Sequence, residues 1–292
     1  MIPTYNSARY LPAAIESVLV QTFKDHEILV VDDGSTDDTP RIVDPFRPAV
    51  RYLRQPNRGV AAARNRGLAE SRGRYVAFLD ADDTWLPTKL EKQTRALAEA
   101  PSIRASYSAF FVVDEDLRIL GVRRGPAPTS LLTALLTQGN VVGSICTVLC
   151  ERPLFDLAGG FDPALSQCAD WDMWVRLALG TEFLYLDEPL ATYRQHSTNM
   201  SRNVARLEHD SLRLLEAAFL NPALPPPLRP RRREAFGRNY RVLAGSYFGV
   251  GQYRDFLRCA YQALRLDPRQ IGYFLAFPAR FARRALKGLA IS

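Results

Sequence analysis

The 292-residue sequence predicts an α/β fold: a mainly parallel central sheet covered by helices, followed by an α-helical appendage. Three observations carry this. Short apolar, β-favouring runs alternate with helix-period segments through the first hundred residues, the pattern of βαβ units. Polar side chains, carboxylates above all, collect directly after those runs, at the sheet edge where open α/β folds hold ligands. A proline- and arginine-rich stretch at 221–233 then separates this region from purely helical patterns.

The elements follow in order. Met1 to Asn6 reads as the tail of a first strand, either short or begun upstream. Leu11 to Leu19 has helical spacing. Glu27 to Val31 is a buried strand, ended by the polar turn Asp32 to Asp37 and followed by a helix to Phe46. Val50 to Leu53 is the next strand, and Asn57-Arg58-Gly59 turns into a helix, Val60 to Ala69, that carries Arg64 and Asn65. Tyr75 to Leu79 is a strand that stops at Asp80, Asp82 and Asp83. A helix and a strand (Arg104 to Val113) come next, then a turn at Asp114 to Asp116 and a returning strand, Leu117 to Val122. Gly125 to Pro128 breaks the chain before a short helix, Leu131 to Leu136. Gly159 to Asp162 is a turn ahead of a helix whose apolar stripe is Trp171, Trp174, Val175 and Leu177. Val204 to Phe219, Glu234 to Phe248 and Tyr253 to Leu266 are helical, the last two forming a hairpin closed by Asp267-Pro268.

Two acidic constellations carry chemistry. Asp80 and Asp82, at i and i+2 on a strand end, suit a hard divalent cation completed by phosphate oxygens. The other reading is an acidic turn capping the helix that Pro87 begins. Asp170 lies in the first turn of its helix, where the dipole favours an acid whatever its task. No glycine-rich phosphate loop is present, so anion binding falls to a metal and to arginine. The four cysteines lack zinc-type spacing and read as reduced, partly buried thiols of a cytosolic protein.

Pro3-Thr4-Tyr5-Asn6, Gln21-Thr22-Phe23, the Val30 to Asp37 run, Asn57-Arg58-Gly59 with Ala63-Arg64-Asn65, and Phe78 to Asp83 together resemble glycosyltransferase family 2 over residues 1–200 or so. The resemblance implies a GT-A fold, a Rossmann-like sandwich, and inverting sugar transfer from a nucleoside-diphosphate donor. It implies that Pro3, Thr4 and Tyr5 border the nucleobase, that Asp33 accepts a hydrogen bond from it, as a rule from uracil, and that Arg64 lies near the diphosphate. Asp80 and Asp82 become the DxD pair for Mg²⁺ or Mn²⁺, Asp82 on the metal and Asp80 on ribose or a metal-bound water. Asp170 becomes the base, although the acid that often precedes it is Ala169 here. His196 is implied near the metal or diphosphate, and Arg194 near a phosphate. The implied donor is a UDP-sugar with a hexosyl or N-acetylhexosaminyl group. The implied acceptor is a hydroxyl of a glycan, a lipid-linked glycan or a protein in bacterial envelope polysaccharide synthesis. A non-catalytic sugar-nucleotide-binding or scaffold protein of the same fold is the alternative, to which Ala169 and the clipped first strand point.

The expected domains are a catalytic one at 1–220, a linker at 221–233 and a helical region at 234–292. Of 38 basic residues only four are lysines, a bias without any nucleic-acid-recognition motif, so no nucleic-acid partner is expected. The net charge of +7 favours anionic donors and acidic lipid surfaces. The tail, Ile271 to Ile291, mixes aromatics with Arg280, Arg283, Arg284 and Lys287. It reads as a helix packed on the domain or as an interfacial basic helix, which would make the protein cytoplasmic and peripheral at the inner face of the membrane. No uncharged apolar run of about 18 residues is present to span a bilayer.

Overall fold

The structure, a computed structural model, describes residues 1–125, 130–196 and 203–277. Nine strands are β1 (Ile2–Thr4), β2 (Ile28–Asp32), β3 (Val50–Arg54), β4 (Tyr75–Ala77), β5 (Thr84–Trp85), β6 (Ala105–Val113), β7 (Ile119–Arg123), β8 (Leu149–Glu151) and β9 (Phe183–Arg194). The helices are α1 (Leu11–Leu19), α2 (Thr39–Val43), α3 (Val60–Glu70), α4 (Lys89–Glu99), α5 (Leu131–Gln138), α6 (Arg152–Ala158), α7 (Ala169–Ala178), α8 (Val204–Leu220), α9 (Arg232–Gly249), α10 (Tyr253–Leu266) and α11 (Ile271–Leu275).

β1, β2 and β3 are parallel neighbours, with Ile2 opposite Val30 and Ile28 opposite Val50. All five residues of β2 are buried, as expected of a strand covered on both faces. β1 continues the sheet to β4: the Met1 nitrogen donates to Ala77 O at 2.8 Å and Leu79 N donates to Met1 O at 3.0 Å. Beyond β4 the order is β8, β6, β9, β5, with β7 as a hairpin partner of β6. The mainly parallel sheet expected from the βαβ pattern is therefore only its first part. β8 runs antiparallel to β4 and β6, β5 antiparallel to β9, and β6 with β9 forms a long parallel pair. The carboxyl ends of β1, β2 and β4 share one edge, as parallel strands must.

The chain divides into two compact units, Met1–Leu135 with Asn140–Arg202, and Leu136–Gly139 with Asn203–Ser292. The expected division at 221–233 is displaced, because α8 keeps company with the helices that follow it. Val204 joins Leu243, Ala244, Tyr247 and Cys259 in one buried cluster, and Asn239 Nδ2 donates to Ser211 Oγ at 3.0 Å. The proline- and arginine-rich stretch is a 3₁₀ turn, Pro226–Arg231, between α8 and α9. α9 and α10 form the expected hairpin, and α11 begins the tail; the rest of the expected tail, from residue 278, lies outside the described residues. So do residues 126–129 of the expected breaker and 197–202 of the segment after β9. Among the described residues no helix is long and apolar enough to cross a membrane.

Candidate active site

The site grows from three strand ends and one helix start. After β1, Tyr5 is half exposed while Pro3 and Thr4 are buried in the strand end. Asn6 takes a left-handed φ of 49°, and its side-chain oxygen accepts from Thr36 N at 2.8 Å and Asp37 N at 3.3 Å, which pins the turn after β2. Asp32 and Asp33 end β2 in the interior. Asp32 accepts from Ser35 N at 2.8 Å and from the Tyr52 hydroxyl. Asp33 accepts from Gln55 Nε2 at 2.7 Å, Arg58 N at 3.0 Å and Gly59 N at 2.7 Å. Arg58 N also reaches the second oxygen at 3.2 Å, so the roughly four acceptor positions of the carboxylate are committed to holding the 55–59 loop.

The turn after β4 carries Asp80, Asp82 and Asp83 into three different environments. Asp80 Oδ1 accepts from Arg64 Nη2 at 2.9 Å. Asp82 Oδ2 lies 2.8 Å from His196 Nε2, and the His196 ring stacks on Tyr10 at 5.1 Å. Both carboxylates keep about a third of their side-chain surface open, 34% and 30%. Burial and the neighbouring Asp80 charge raise the Asp82 pKa, while His196 opposes the shift. Two partly open, hard oxygen donors, each with one oxygen bonded to a cationic or imidazole partner, fit a Mg²⁺- or Mn²⁺-type ion.

Asp83 is different. It is buried, accepting Arg194 N at 2.7 Å and the Cys146 thiol at 3.0 Å. Cys146 Sγ also receives Asp80 N at 3.2 Å. Ligand atoms of Asp80, Asp83 and Cys146 lie within 4.8 Å of one another. Burial and the adjacent carboxylates push the thiol pKa up, however, and a protonated thiol is a poor metal ligand. The cluster is a brace under the Asp80–Asp83 turn. Arg194 belongs to that brace and is not free for a phosphate: Nε donates to Asp82 O at 2.6 Å, Nη1 donates to Glu115 O, and the guanidinium lies over Tyr10.

Arg64, on α3, stands between the two acidic constellations. It is buried against the Phe161 ring, bonds Asp80, and its charge pulls the Asp170 pKa down. Its buried Nε has no protein partner. Asp170 starts α7 and accepts from Trp171 N at 2.7 Å and Asn140 Nδ2 at 2.9 Å. Burial outweighs these contacts and leaves its pKa raised. Ala169 is buried at the first position of α7. Asp172 is paired with Arg176 one turn on, at 2.6 Å.

The structure thus brings Arg64, Asp80, Asp82, His196 and Asp170 into one linked set. Sequence reasoning missed Asn140, Cys146, Tyr10 and the bracing role of Arg194. Only Asn140 left a signal, a polar residue in a loop between Gly139 and Gly143, both at positive φ.

Comparison with known proteins agrees with the fold. The family model described as glycosyl transferase family 2 matches residues 1–155. The Escherichia coli UDP-Glc:alpha-D-GlcNAc-diphosphoundecaprenol beta-1,3-glucosyltransferase WfaP is 32% identical over 209 residues, covering 70% of this chain and 79% of the relative. The chain matches only part of some relatives, 66% of a Rickettsia prowazekii glycosyltransferase and 37% of one from Rickettsia conorii. Among solved structures, S. aureus TarS with UDP-GlcNAc superposes with a TM-score of 0.64 at 17% identity, covering 90% of both chains. The Pyrobaculum calidifontis mannosyltransferase PcManGT with GDP-Man and Mn²⁺ gives 0.62 at 19%, covering 96% of this chain and 79% of the other. With the family model across more than half its length and a GT-A sheet beneath it, the chain belongs to glycosyl transferase family 2.

Proposed function

We propose that the protein is an inverting glycosyltransferase moving a hexosyl or N-acetylhexosaminyl group from a UDP-sugar to a hydroxyl of a glycan or lipid-linked acceptor in envelope polysaccharide synthesis. The observation that carries this reading is Arg64, one buried cation bonded to Asp80 and acting electrostatically on Asp170. It couples the carboxylates suited to a donor diphosphate with the one suited to activating an acceptor. WfaP, whose name gives a UDP-Glc donor and a diphosphoundecaprenol-linked acceptor, and TarS with UDP-GlcNAc support the donor and acceptor classes. PcManGT with Mn²⁺ supports the metal.

Tyr5 stacks on the nucleobase beside Pro3 and Thr4, while Asp33 fixes the 55–59 loop next to the base. Asp80 and Asp82 would hold Mg²⁺ or Mn²⁺, with His196 orienting the Asp82 carboxylate. Such an ion would supply positive charge against that building on the diphosphate as the glycosidic C–O bond breaks. Arg64 adds positive charge there, and its unpartnered Nε–H can be satisfied by a phosphate oxygen. Asp170 removes the proton of the attacking hydroxyl, whose oxygen bonds the anomeric carbon from the face opposite the leaving group. The proton ends on Asp170 and the anomeric configuration inverts. The raised pKa makes Asp170 a stronger base than an ordinary aspartate.

The test is a transfer and donor-hydrolysis screen over UDP-, GDP- and dTDP-sugars with Mn²⁺ or Mg²⁺. Asp82→Ala should abolish metal-dependent donor binding, whereas Asp170→Asn should bind donor normally and lose about 10²–10⁴ in transfer rate. Wild-type transfer by Asp170→Asn would remove the base assignment. A failure of every nucleotide sugar to bind would favour the non-catalytic alternative.

A further inference from the structure

The charge of this chain is unevenly divided. Residues 203–292 carry 16 basic and 6 acidic side chains, whereas residues 1–202 carry 22 basic and 25 acidic. The excess of positive charge therefore belongs to residues 203–292, with four of those basic residues lying beyond the described ones. Within this region α10 has two faces. Cys259 and Ala263 are buried, and Cys259 sits in the cluster with Leu243, Ala244 and Tyr247 of α9. On the outward face Tyr253, Leu257 and Tyr261 stand 59%, 64% and 64% exposed. Four-residue spacing lines these three along one side of the helix. Arg254, Arg258 and Arg265 occupy the strip beside them at helical spacing, and Arg254 and Arg265 are exposed. Arg258 pairs with Glu208 and Asp255, so the helix's one acid is already held. Further along the chain, Ile271 and Leu275 of α11 are exposed as well.

An apolar stripe of tyrosine and leucine beside a row of arginines is the surface that enters a lipid interface, rings and aliphatic groups below, guanidinium groups at the headgroups. Nucleic acid would use the arginines and leave the stripe in water. A second copy related by a two-fold axis would cover the stripe and set the arginine rows near one another. We propose that the outward face of α10, Tyr253, Leu257 and Tyr261 with Arg254 and Arg265, seats this protein on an anionic membrane surface. This deepens the reading of a lipid-linked acceptor and depends on it for its purpose, but its geometry is independent of the transfer site.

The experiment uses the full chain with phosphatidylcholine vesicles prepared with and without phosphatidylglycerol, read by co-sedimentation. Binding is expected only to the anionic vesicles and should weaken with salt. Leu257→Glu with Tyr261→Glu should abolish it, and Arg254→Ala and Arg265→Ala should each weaken it about fivefold. A matched melting curve shows that these surface variants fold. UDP-sugar hydrolysis should be unchanged in all of them, so a loss of the transfer reading and a loss of this one are separately visible. The proposal is overturned if the α10 variants bind like the parent, or if only removal of 278–292 abolishes binding. It is equally overturned if the parent ignores lipid and light scattering shows the stripe variants dissociating a dimer, or if the parent prefers RNA over vesicles.

Discussion

Asp170 owes its basicity to the start of α7, where burial raises its pKa while Trp171 N, Asn140 and the Arg64 charge hold it back. The balance sets a measurable limb. kcat/KM should fall on the acid side as Asp170 gains its proton, with a midpoint above the ordinary aspartate value of about 4. Asn140→Ala removes a donor to the charged form and should move that limb to higher pH, while Arg64→Met should move it further. A pH–rate profile checks both directions, and an acid limb that stays put in both variants would mean that another group governs it. Asp83 makes the complementary point at the same scale. Its neighbours in sequence, Asp80 and Asp82, keep about a third of their side-chain surface open, yet its own carboxylate is buried against Arg194 N and the Cys146 thiol. Three adjacent acids look alike in a sequence. Only the partners that arrive from 63 and 111 residues away separate them.

At the scale of elements, α9 and α10 meet closely at Gly237, where an added Cβ would come 2.7 Å from Asp267 Cβ and 3.2 Å from its backbone nitrogen. Gly237→Ala therefore gains helix propensity but forces the hairpin apart, for a net loss of about 1–3 kcal/mol. Gly249→Ala, at the end of the same helix with open space around it, should be neutral or stabilising by up to about 1 kcal/mol. Urea melts of the two variants give opposite signs if the helix contact is as described. The hairpin itself was legible, because its apolar spacing and the Asp267-Pro268 stop are local. So were β2, β3, α1 and α3, whose hydrophobic periods match their burial. The antiparallel entry of β8 between β4 and β6 was not legible, since three residues of strand carry no direction. Nor was the allegiance of α8: an amphipathic helix announces that it has an apolar face but not which neighbours cover it. The site followed the same rule. Asp80, Asp82, Arg64 and Asp170 follow strand ends or helix starts that sequence spacing exposes, whereas Asn140 and Cys146 enter from loops placed by the whole sheet.

For the whole molecule, the stability of the fold should carry the signature of one buried cation. Lys89, at the start of α4, is fully buried, and no carboxylate among the described residues pairs with its ammonium group: Nζ donates to Gln93 Oε1 at 2.6 Å and lies 4.4 Å from the centre of the Trp85 ring. Desolvation lowers its pKa to about 7. In the unfolded chain a lysine titrates near its ordinary value of about 10.4. Between these limits the unfolded state binds more protons than the folded one, so the Lys89 contribution to stability rises as pH rises from 7 towards 10.5 and is least favourable below pH 7. The full swing is on the order of 4–5 kcal/mol. Other groups titrate across the same range, the raised thiols and tyrosines among them, so the readout is a difference. Lys89→Met keeps a similar shape without the ammonium and leaves Gln93 Oε1 one donor short, a cost of about 1–3 kcal/mol that does not depend on pH. The free energy of unfolding of the variant minus that of the wild type should then decrease steadily from pH 7 to pH 10, by up to those few kcal/mol. A difference constant with pH, measured by denaturant melts at several points in that window, would show that Lys89 keeps its proton in the folded state and that Gln93, Trp85 and the Val148 carbonyl solvate the charge after all.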